Sequence, residues 1–358
     1  NAGDTYHSAT LTFNEGVPGC TDPTACNYDP SANVDDGSCD VPNGCGDPLY
    51  LEYDANITCS DANACVTLIV SGCTDPIANN YDANANTDDG SCSYQMTYVP
   101  DDNFESYLEA NGMGDGIVLN DYVLTSNIDT ANLLDVSYQN ITDLTGIEDF
   151  VNLEYLYSDG NQLTTLDISN NTYLTELSCQ GMSLTSLDAS NNLNLLILVS
   201  ADNQLISLDV SSNTALTFLD CGDNELTSLD VSNNASLTNL YCYGNQFTSL
   251  DVSTNTALTH LYCYNNQLTS LDLRNGNNIN MTIFLATNNP NLNCISVDDP
   301  AWAINNWSPP MNIDAWTLFS INCNAIYGCT DPNAVNYDPS ADTDDGSCIA
   351  LCNPDPQY

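Results

Sequence analysis

The feature that most constrains the fold is a 21-residue periodicity in the middle of the chain. An apolar side chain recurs at this spacing, at Leu163, Leu184, Leu205, Leu226, Phe247 and Leu268. Each of these residues opens a segment of the form L-T-S-L-D-V-S-x-N, followed by L-T-x-L-x-C-x-x-N-Q. Because self-similarity at a fixed short period is the signature of stacked repeats, the chain is predicted to form a solenoid with one coil per period.

The half-repeat L-x-x-L-x-x-x-x-N occurs twice per period, which identifies the pattern as a leucine-rich repeat. Two half-repeats per coil predict a short strand on each of two opposite faces, with the Leu and the Val or Cys positions pointing inward. The Asn that ends each half can bond the backbone where the chain turns. We therefore expect a mainly-β solenoid of about seven coils around one continuous core, with a cap at each end.

Both caps can be placed from the sequence. A short helix is predicted over 101–110, after Pro100 and before Gly112, with an apolar face made by Phe104, Tyr107 and Leu108. At the other end the period breaks at 275–276, and a disulfide between Cys294 and Cys323 is predicted to close the solenoid around the segment that contains Trp302, Trp307 and Trp316.

A second repeat lies outside the solenoid and is built around cysteines. Residues 19–39 read GCTDPTACNYDPSANVDDGSC, residues 72–92 and 328–348 are close copies, and 44–65 is a degenerate copy. A unit of about 20 residues cannot bury a core, so a disulfide worth ~3 kcal/mol is predicted to close each copy. The predicted pairs are Cys20–Cys39, Cys45–Cys65, Cys73–Cys92 and Cys329–Cys348. A crosslink between Cys26 and Cys59 is one option for those two residues, and the partner of Cys352 is left open.

The two repeats divide the chain into segments. The predicted organisation is 1–18, the end of a preceding domain or a linker; 19–92, three cysteine-closed modules; 93–145, the N-terminal cap and first coil; 146–290, the leucine-rich repeats; 291–327, the C-terminal cap; 328–348, a fourth module; and 349–358, a linker. The small modules are expected to be loop-rich and to flank the solenoid. We expect the chain to be part of a longer protein.

The charge distribution excludes whole classes of partner. The chain has 48 acidic residues and a single basic one, Arg274, which gives a formal net charge of −47. Binding of nucleic acid or of an anionic membrane surface through a basic patch is therefore not expected. Seventeen cysteines with staple-like spacing indicate an oxidising, extracellular compartment. No apolar run of 18 residues occurs, so direct membrane insertion is not expected either.

The motifs together resemble a family. The GCTDP…NYDP…DDGSC modules, the 21-residue repeat with its Cys column, the leading segment YVPDDNFE (98–105) and the closing segment NLNCISVDD (291–299) are similar to those of large secreted cell-surface proteins of Bacteroidetes bacteria. The resemblance implies export by the type IX route and a role in adhesion, in gliding, or in contact with prey or a substrate. It implies no catalytic residues.

The acidic turn of each module is a candidate calcium site. Oxygen-bearing side chains alternate along the turn and a Gly follows the last acid, which is how a short loop wraps Ca²⁺. The predicted ligands are Asp29, Asn33, Asp35 and Asp36 in the first module; Asp82, Asn84, Asn86, Asp88 and Asp89 in the third; and Asp338, Asp342, Asp344 and Asp345 in the last. The alternative is that these residues only form Asx-turns in a disulfide-closed loop.

Two further columns of the solenoid carry chemistry. Asp167, Asp188, Asp209, Asp230, Asp251 and Asp272 form one column, either a cation-binding face or a hydrogen-bonded, solvated ladder. Cys179, Cys221, Cys242 and Cys263 form another, predicted to be buried free thiols rather than zinc ligands or crosslinks.

Aromatic residues flank the Cys column at outward positions and define a predicted ligand face. This face comprises Tyr155, Tyr157, Phe218, Tyr241, Tyr243, His260, Tyr262 and Tyr264. Tyrosine combines a rigid apolar body with a polar tip, which suits contact with sugars or proteins. The alternative is aromatic stacking between coils that only stabilises the sheet.

No catalytic set, zinc motif or phosphate-binding loop appears, so an enzyme is not predicted. The sequence instead predicts a non-enzymatic binding or scaffold segment of an extracellular surface protein, with Ca²⁺ as a structural cofactor. Its partner would be a protein or glycan on another cell or surface. The alternative is a structural subunit or stalk of an extracellular filament that binds copies of itself and is rigidified by the calcium modules.

Overall fold

The computed structural model describes residues 15–324, 327–341, 343–344 and 346–349. The predicted segment 1–18 therefore lies largely outside the described residues, as do Asp342, Asp345, Cys352 and most of 349–358. The chain forms two compact units, 1–94 and 95–358.

The first unit consists of the cysteine modules. Its strands are two residues long and pair in parallel, β1 (Pro18–Gly19) with β2 (Val34–Asp35) and β3 (Ser71–Gly72) with β4 (Thr87–Asp88). Among the described residues of this unit, the buried apolar side chains are four cysteines and two alanines. Because so little apolar surface is buried, the disulfides supply much of the stability of these modules.

All five predicted disulfides are formed, and Cys26 also pairs with Cys59. This last bond joins the first module to the degenerate second one, a pairing that the sequence left open. The last module repeats the parallel pair, with β19 (Tyr327–Gly328) against β20 (Thr343–Asp344).

The second unit begins with the predicted N-terminal cap. It contains β5 (Met96–Tyr98), α1 (Asp102–Ala110), β6 (Tyr122–Leu124) and α2 (Thr125–Ile128), with β5 and β6 antiparallel. Asp101 caps α1 by accepting the N–H groups of Asn103 and Phe104, and its other oxygen accepts the N–H and the hydroxyl of Thr142. Phe104 and Leu108 are fully buried, so the helix covers the open end of the core as predicted.

The solenoid itself is built on an eight-stranded parallel sheet. Its strands, three residues each, are β7 (Leu133–Asp135), β8 (Tyr155–Tyr157), β9 (Glu176–Ser178), β10 (Ile197–Val199), β11 (Phe218–Asp220), β12 (Asn239–Tyr241), β14 (His260–Tyr262) and β16 (Ile283–Leu285). In every strand the central apolar residue points into the core, for example Leu219 opposite Leu240. The leucine-rich-repeat prediction is confirmed, and this sheet has one strand more than the expected seven coils.

The opposite face differs from the prediction. Strands occur there only in the last coils, as a four-stranded sheet of β13 (Ser249–Asp251), β15 (Ser270–Asp272), β17 (Cys294–Ser296) and β18 (Leu318–Ser320). In the earlier coils the same motif forms turns and extended backbone without strand pairing. Short 3-10 segments at Ile147–Asp149 and Asn278–Asn280 complete the unit.

The C-terminal cap closes the core with an aromatic cluster. Helix α3 (Pro300–Asn306) starts at the N-cap Asp299 and places Trp302 beside Trp307. The buried Trp307 ring packs 4.6 Å from the ring of Phe284 in the last strand of the eight-stranded sheet. The aromatic residues thus cover the apolar end that the repeat would otherwise leave exposed to water.

Candidate binding face

The outward side of the eight-stranded sheet carries the aromatic residues predicted from the sequence. Parallel pairing places Phe218, Asn239 and His260 in one row, and Asp220, Tyr241 and Tyr262 in another. Because side chains of a strand alternate between faces, the residues on either side of each buried leucine must point outward. All eight predicted ligand-face residues are half-buried.

Five of these rings form one continuous patch, which we call the aromatic face: Phe218, Tyr241, Tyr243, Tyr262 and Tyr264. Tyr241 stacks on Tyr262 with centroids 4.4 Å apart, and Tyr243 stacks on Tyr264 with centroids 5.0 Å apart and planes 7° from parallel. Phe218 meets Tyr241 edge to face at 5.1 Å. The patch spans three coils, so it is a surface larger than any single repeat provides.

The other predicted residues do not join this patch. Tyr155 and Tyr157 lie on β8, and the intervening strands β9 and β10 place Glu176 and Ile197 in the rows between them and Phe218. The hydroxyl of Tyr157 donates to Glu176 at 2.7 Å, which raises the pKa of this tyrosine to about 12. His260 lies beside the patch, where its Nδ1 is 2.9 Å from the hydroxyl oxygen of Thr259. The single stripe expected from the sequence is therefore two separate clusters.

Three carboxylates border the aromatic face, and we call them the acidic triad: Asp202, Asp220 and Asp223. Asp220 follows the buried Leu219 in β11 and lies in register between Val199 and Tyr241. Asp202 and Asp223 occupy equivalent turn positions of successive coils, both with left-handed backbone (φ 53° and 48°). The sequence analysis did not single out this triad, although Asp220 shares the column of Tyr241 and Tyr262 and was identifiable by that register.

The triad is electrostatically unfavourable. Burial, together with the nearby charges of Asp202 and Asp223, raises the pKa of Asp220 to about 6, although Asp220 accepts the N–H of Gly222 at 3.0 Å. Burial and Asp202 also raise the pKa of Asp223. The pKa of Tyr243 is raised by burial and by Asp220 and Asp223. Burial and neighbouring like charges both disfavour the ionised forms of these carboxylates.

Glycine makes room for the ring that contacts the triad. A methyl group on Gly222 would overlap the ring of Tyr243, and one on Gly244 would overlap the carboxylate of Asp223. Gly222 follows Ala201 in the same column of the solenoid, and both residues are buried. The absence of a side chain at Gly222 allows Tyr243 to lie against the preceding coil.

A buried asparagine column fixes the turns that carry the face. Asn224 donates to the carbonyls of Ser200, Cys221 and Gly222, and its Oδ1 accepts the N–H of Leu205. The same arrangement recurs in the other coils, at Asn203, Asn245, Asn266 and Asn289. These bonds satisfy buried backbone groups at the corner, as the repeat pattern predicted, and hold the outward side chains in fixed positions.

The remaining predicted columns have simple structural explanations. The four cysteines of the Cys column are free and fully buried, which confirms the thiol prediction: Cys179, Cys221, Cys242 and Cys263. Burial raises the pKa of Cys179 and of Cys263 to about 12.

In the Asp column, five carboxylates each accept the N–H of the Ser two residues later, as Asp209 does from Ser211 at 2.9 Å. The last, Asp272, forms an ion pair with Arg274. These hydrogen bonds are those of the ladder interpretation, and cation binding by the column stays a prediction.

The predicted calcium ligands of the modules are engaged in local turns. Asp29 Oδ1 accepts the N–H and hydroxyl of Ser31, and Asp35 accepts the N–H of Gly37. The Oδ1 atoms of Asn33 and Asn86 accept the N–H groups of Val17 and Val70, just before the first strand of each module. Within the described residues, the three acidic groups whose oxygens come close enough to share one ion are Asp102, Glu105 and Asp121, at the N-terminal cap.

No helix in the described ranges has the length and apolar character needed to cross a membrane.

Residues 235–275 match the family described as Leucine Rich repeats (2 copies). A search of curated proteins gave no match.

Several solved bacterial repeat structures are similar to this chain. The functional domain of InlJ from Listeria monocytogenes, described as including a cysteine ladder, is 33% identical with a TM-score of 0.46; the match covers 57% of this chain and 52% of that one. The internalin inlF from the same organism is 21% identical over 56% of this chain and 72% of its own, with a TM-score of 0.42. The Leptospira interrogans protein LIC12759 is 21% identical over 53% of this chain and 62% of its own, with a TM-score of 0.39. The chain thus spans about half the length of the InlJ domain.

Proposed function

We propose that this protein is an extracellular, non-enzymatic binding module that contacts a protein or glycan on another cell or surface through its aromatic face. The observation that carries the proposal is the continuous patch of five half-buried rings on a rigid parallel sheet. Aromatic side chains with few rotatable bonds contribute large contact area at low entropic cost, and they are enriched at interface hot spots.

The extracellular part of the proposal is supported by the disulfides. Six of them join described residues, and bonds of this kind persist in oxidising compartments. With a single basic residue in the chain, contact with an acidic polymer is disfavoured, so a protein or glycan is the better partner. Export by the type IX route, which the family resemblance implies, remains a prediction.

The test replaces Tyr241, Tyr243, Tyr262 and Tyr264 with Ser and measures binding of the whole chain to cells and to immobilised glycans. We expect binding to fall at least about tenfold, as for the loss of interface hot spots. The matched control is Tyr173→Ser, because Tyr173 is 60% exposed and lies outside the patch. Unchanged binding by the quadruple variant, with only its melting temperature lowered, would mean that the rings merely stabilise the sheet.

The alternative proposal is a filament subunit or stalk. It rests on the stapled modules that precede and follow the repeats in sequence, which would act as stiff spacers. Sedimentation at high protein concentration with Ca²⁺ tests it, and finding only monomers would count against it.

Calcium binding by the modules is a separate proposal. The fit of the side chains is partial: Asp35, Asp36, Asp88 and Asp89 are exposed acids around a left-handed Gly, but Asn33 and Asn86 already accept backbone N–H groups. A bound Ca²⁺ would be held by these carboxylates and would offset their mutual repulsion. If the ion is structural, EDTA lowers the melting temperature and added Ca²⁺ restores it. A melting temperature that EDTA leaves unchanged would refute a structural ion.

A further inference from the structure

The four-stranded sheet ends in an open edge at the C-terminal cap, formed by β18. The N–H of Leu318 donates to the carbonyl of Asn293, and the carbonyl of Ser320 accepts the N–H of Val297. Because parallel pairing uses the backbone groups of alternate residues, the N–H and carbonyl of Phe319 point away from β17. Within the described residues, no strand pairs with this side of β18. Its outward backbone groups are therefore available to another strand.

The same cap covers the corresponding edge of the other sheet. β16 is the last strand of the eight-stranded sheet. The N–H of Ala286, just after β16, donates to the carbonyl of Asn312, and the side chain of Asn312 donates to the carbonyl of Phe284. Proteins usually protect an edge strand by such a cover, by charged side chains or by proline. The Leu-Phe-Ser sequence of β18 has none of these protections, so this edge is a template for strand pairing.

The side chains along this edge are apolar and exposed to water. Trp316 is 51% exposed, Leu318 69% and Ile321 64%, and Thr317 between the first two is buried. Because side chains alternate along extended backbone, Trp316 and Leu318 lie on the same side of the chain. Scattered apolar residues are common on a protein surface, whereas a group of them along an open edge indicates a contact surface.

The apolar surface of the cap is large enough for a weak dimer. Five of its large side chains are more than half exposed: Ile304, Met311, Trp316, Leu318 and Ile321. Together they offer on the order of 600 Å² of apolar surface, compared with roughly 800 Å² per partner in a standard stable complex. We therefore expect association in the micromolar range rather than a permanent assembly.

This part of the chain is also almost free of charge. Between Asp299 and Asp331 the sequence contains one charged residue, Asp314. Its carboxylate accepts the N–H groups of Asn288 and Asn289 within the same chain. Copies of a protein with a net charge of −47 repel each other, so they can approach closely only where few carboxylates meet. The β18 edge satisfies this condition.

We infer that the β18 edge pairs with the β18 edge of a second copy, and that the protein forms a two-fold dimer through its C-terminal cap. Two identical edges are self-complementary when they run antiparallel about a two-fold axis. With the axis at Phe319, the two Phe319 residues exchange both of their N–H···O bonds. The N–H of Ile321 then donates to the carbonyl of Thr317 in the other copy. The two four-stranded sheets join into one continuous sheet.

The dimer differs from both functions proposed above. It does not use the aromatic face, which stays free to bind a partner on another surface. It also differs from a filament, because a contact between identical patches closes at two copies and does not propagate. Pairing through β18 requires no Ca²⁺.

Sedimentation equilibrium of the whole chain at micromolar concentrations, without Ca²⁺, tests the inference. We expect a monomer–dimer equilibrium that strengthens as salt is raised from about 0.05 to 0.5 M, because salt screens the repulsion between acidic copies. Monomers at every concentration, growth beyond dimers, or association that weakens with salt would overturn the inference.

Two matched variants locate the contact. Leu318→Glu should weaken dimerisation at least about tenfold, because it brings two carboxylates together at the paired edge. The control is Leu193→Glu, which adds the same charge at a leucine that is 59% exposed in the solenoid, and it should change dimerisation less than about twofold. Both leucines are exposed, so both variants should keep the wild-type melting temperature. Equal effects of the two substitutions would place the contact elsewhere and overturn the inference.

Cysteine crosslinking tests the register, in a Cys352→Ser background that removes an additional thiol. Pairing about Phe319 places Leu318 opposite Ser320 of the second copy, in a non-hydrogen-bonded pair with Cα atoms about 4.5 Å apart, which suits a disulfide. A mixture of the Leu318→Cys and Ser320→Cys variants should therefore form a disulfide-linked dimer under mild oxidation, faster than either variant alone. Crosslinking that is no faster in the mixture would overturn the antiparallel pairing of β18.

Discussion

Asp220 is expected to destabilise the protein that contains it, and removing its charge should stabilise the fold. Asp220→Asn keeps a side chain of nearly the same shape, and the amide oxygen can still accept the N–H of Gly222. What the substitution removes is a partly desolvated negative charge beside Asp202 and Asp223. We therefore predict that the variant is more stable than the wild type at neutral pH.

The size of the effect follows from the pKa. Folding raises the pKa of Asp220 from 3.8 to about 6. At about 1.4 kcal/mol per pKa unit, this shift means that the charge of Asp220 lowers the free energy of unfolding at neutral pH by at most about 3 kcal/mol. Asp220 is only half-buried, so solvent screening reduces the expected gain to about 1–2 kcal/mol. For a unit of this size, each kcal/mol raises the melting temperature by about 2–4 °C.

The sign of the pH dependence is fixed by the direction of the shift. Because the folded state holds the proton more tightly, the contribution of Asp220 to stability is fully present below pH 3.8 and is lost as the pH rises through about 6. Thermal melts at pH 7.5 should show a higher melting temperature for the variant than for the wild type. At pH 5.0 this difference in melting temperature should shrink to about half. Asp209→Asn is the control, because hydrogen bonds from Ser211 lower the pKa of Asp209 and neutralising it should bring no gain. Equal melting temperatures at pH 7.5, or a gap that does not depend on pH, would refute the reasoning.

Three further predictions test the structure around the face. Gly222→Ala should displace the Tyr243 ring and weaken binding to cells and immobilised glycans without lowering the melting temperature, because the ring can swing away; unchanged binding would contradict the packing described. In urea denaturation, Asn224→Ala should lower the free energy of unfolding by about 1–3 kcal/mol more than Asn234→Ala does. The reason is that the side-chain oxygen of Asn224 accepts a buried backbone N–H, whereas that of Asn234 accepts none. An equal or reversed order would show that the bond from the N–H of Leu205 to Asn224 does not set the difference. The four buried thiols should resist a thiol reagent at pH 8 in the native protein and react after denaturation, as mapped by peptide mass spectrometry; native labelling would mean that the column opens.

The fold could be predicted as far as each repeat specifies its own conformation. The column of Leu198, Leu219, Leu240 and Leu261 is explicit in the sequence, and it fixes the register of the sheet. The strands of the opposite face could not be placed in the same way. The Ser-Leu-Asp motif is a strand at 249–251 but not at 228–230, although the residues are identical. Pairing there depends on how closely successive coils approach, which no single repeat encodes.

The binding face shows the same division between local and non-local information. Outward positions follow from the period, so the tyrosines could be assigned to one side of the sheet. Whether they touch depends on which residues the intervening coils place between them, and Glu176 and Ile197 separate Tyr155 from Phe218. The period places Asp220 in the column of Tyr241 and Tyr262, but its burial could not be predicted from the period. The pKa of Asp220 is raised mainly by its burial, and further by the charges of neighbours 18 residues before it and three after it.

A repeat architecture allows such an unfavourable residue to remain. In a stack where each coil contacts only its neighbours, stability is close to a sum of coil and interface contributions. The coil that contains Asp220 still buries Leu216, Leu219 and Cys221, and Asn224 still bonds its corner. An outward charge that costs about 1–2 kcal/mol therefore lowers the free energy of unfolding of the stack by that amount without disturbing the packing of its core. The core columns are restricted by volume and the asparagine columns by hydrogen bonding. The outward columns are the positions where a charge or ring can change without loss of the fold, and partner specificity is expected to depend on them.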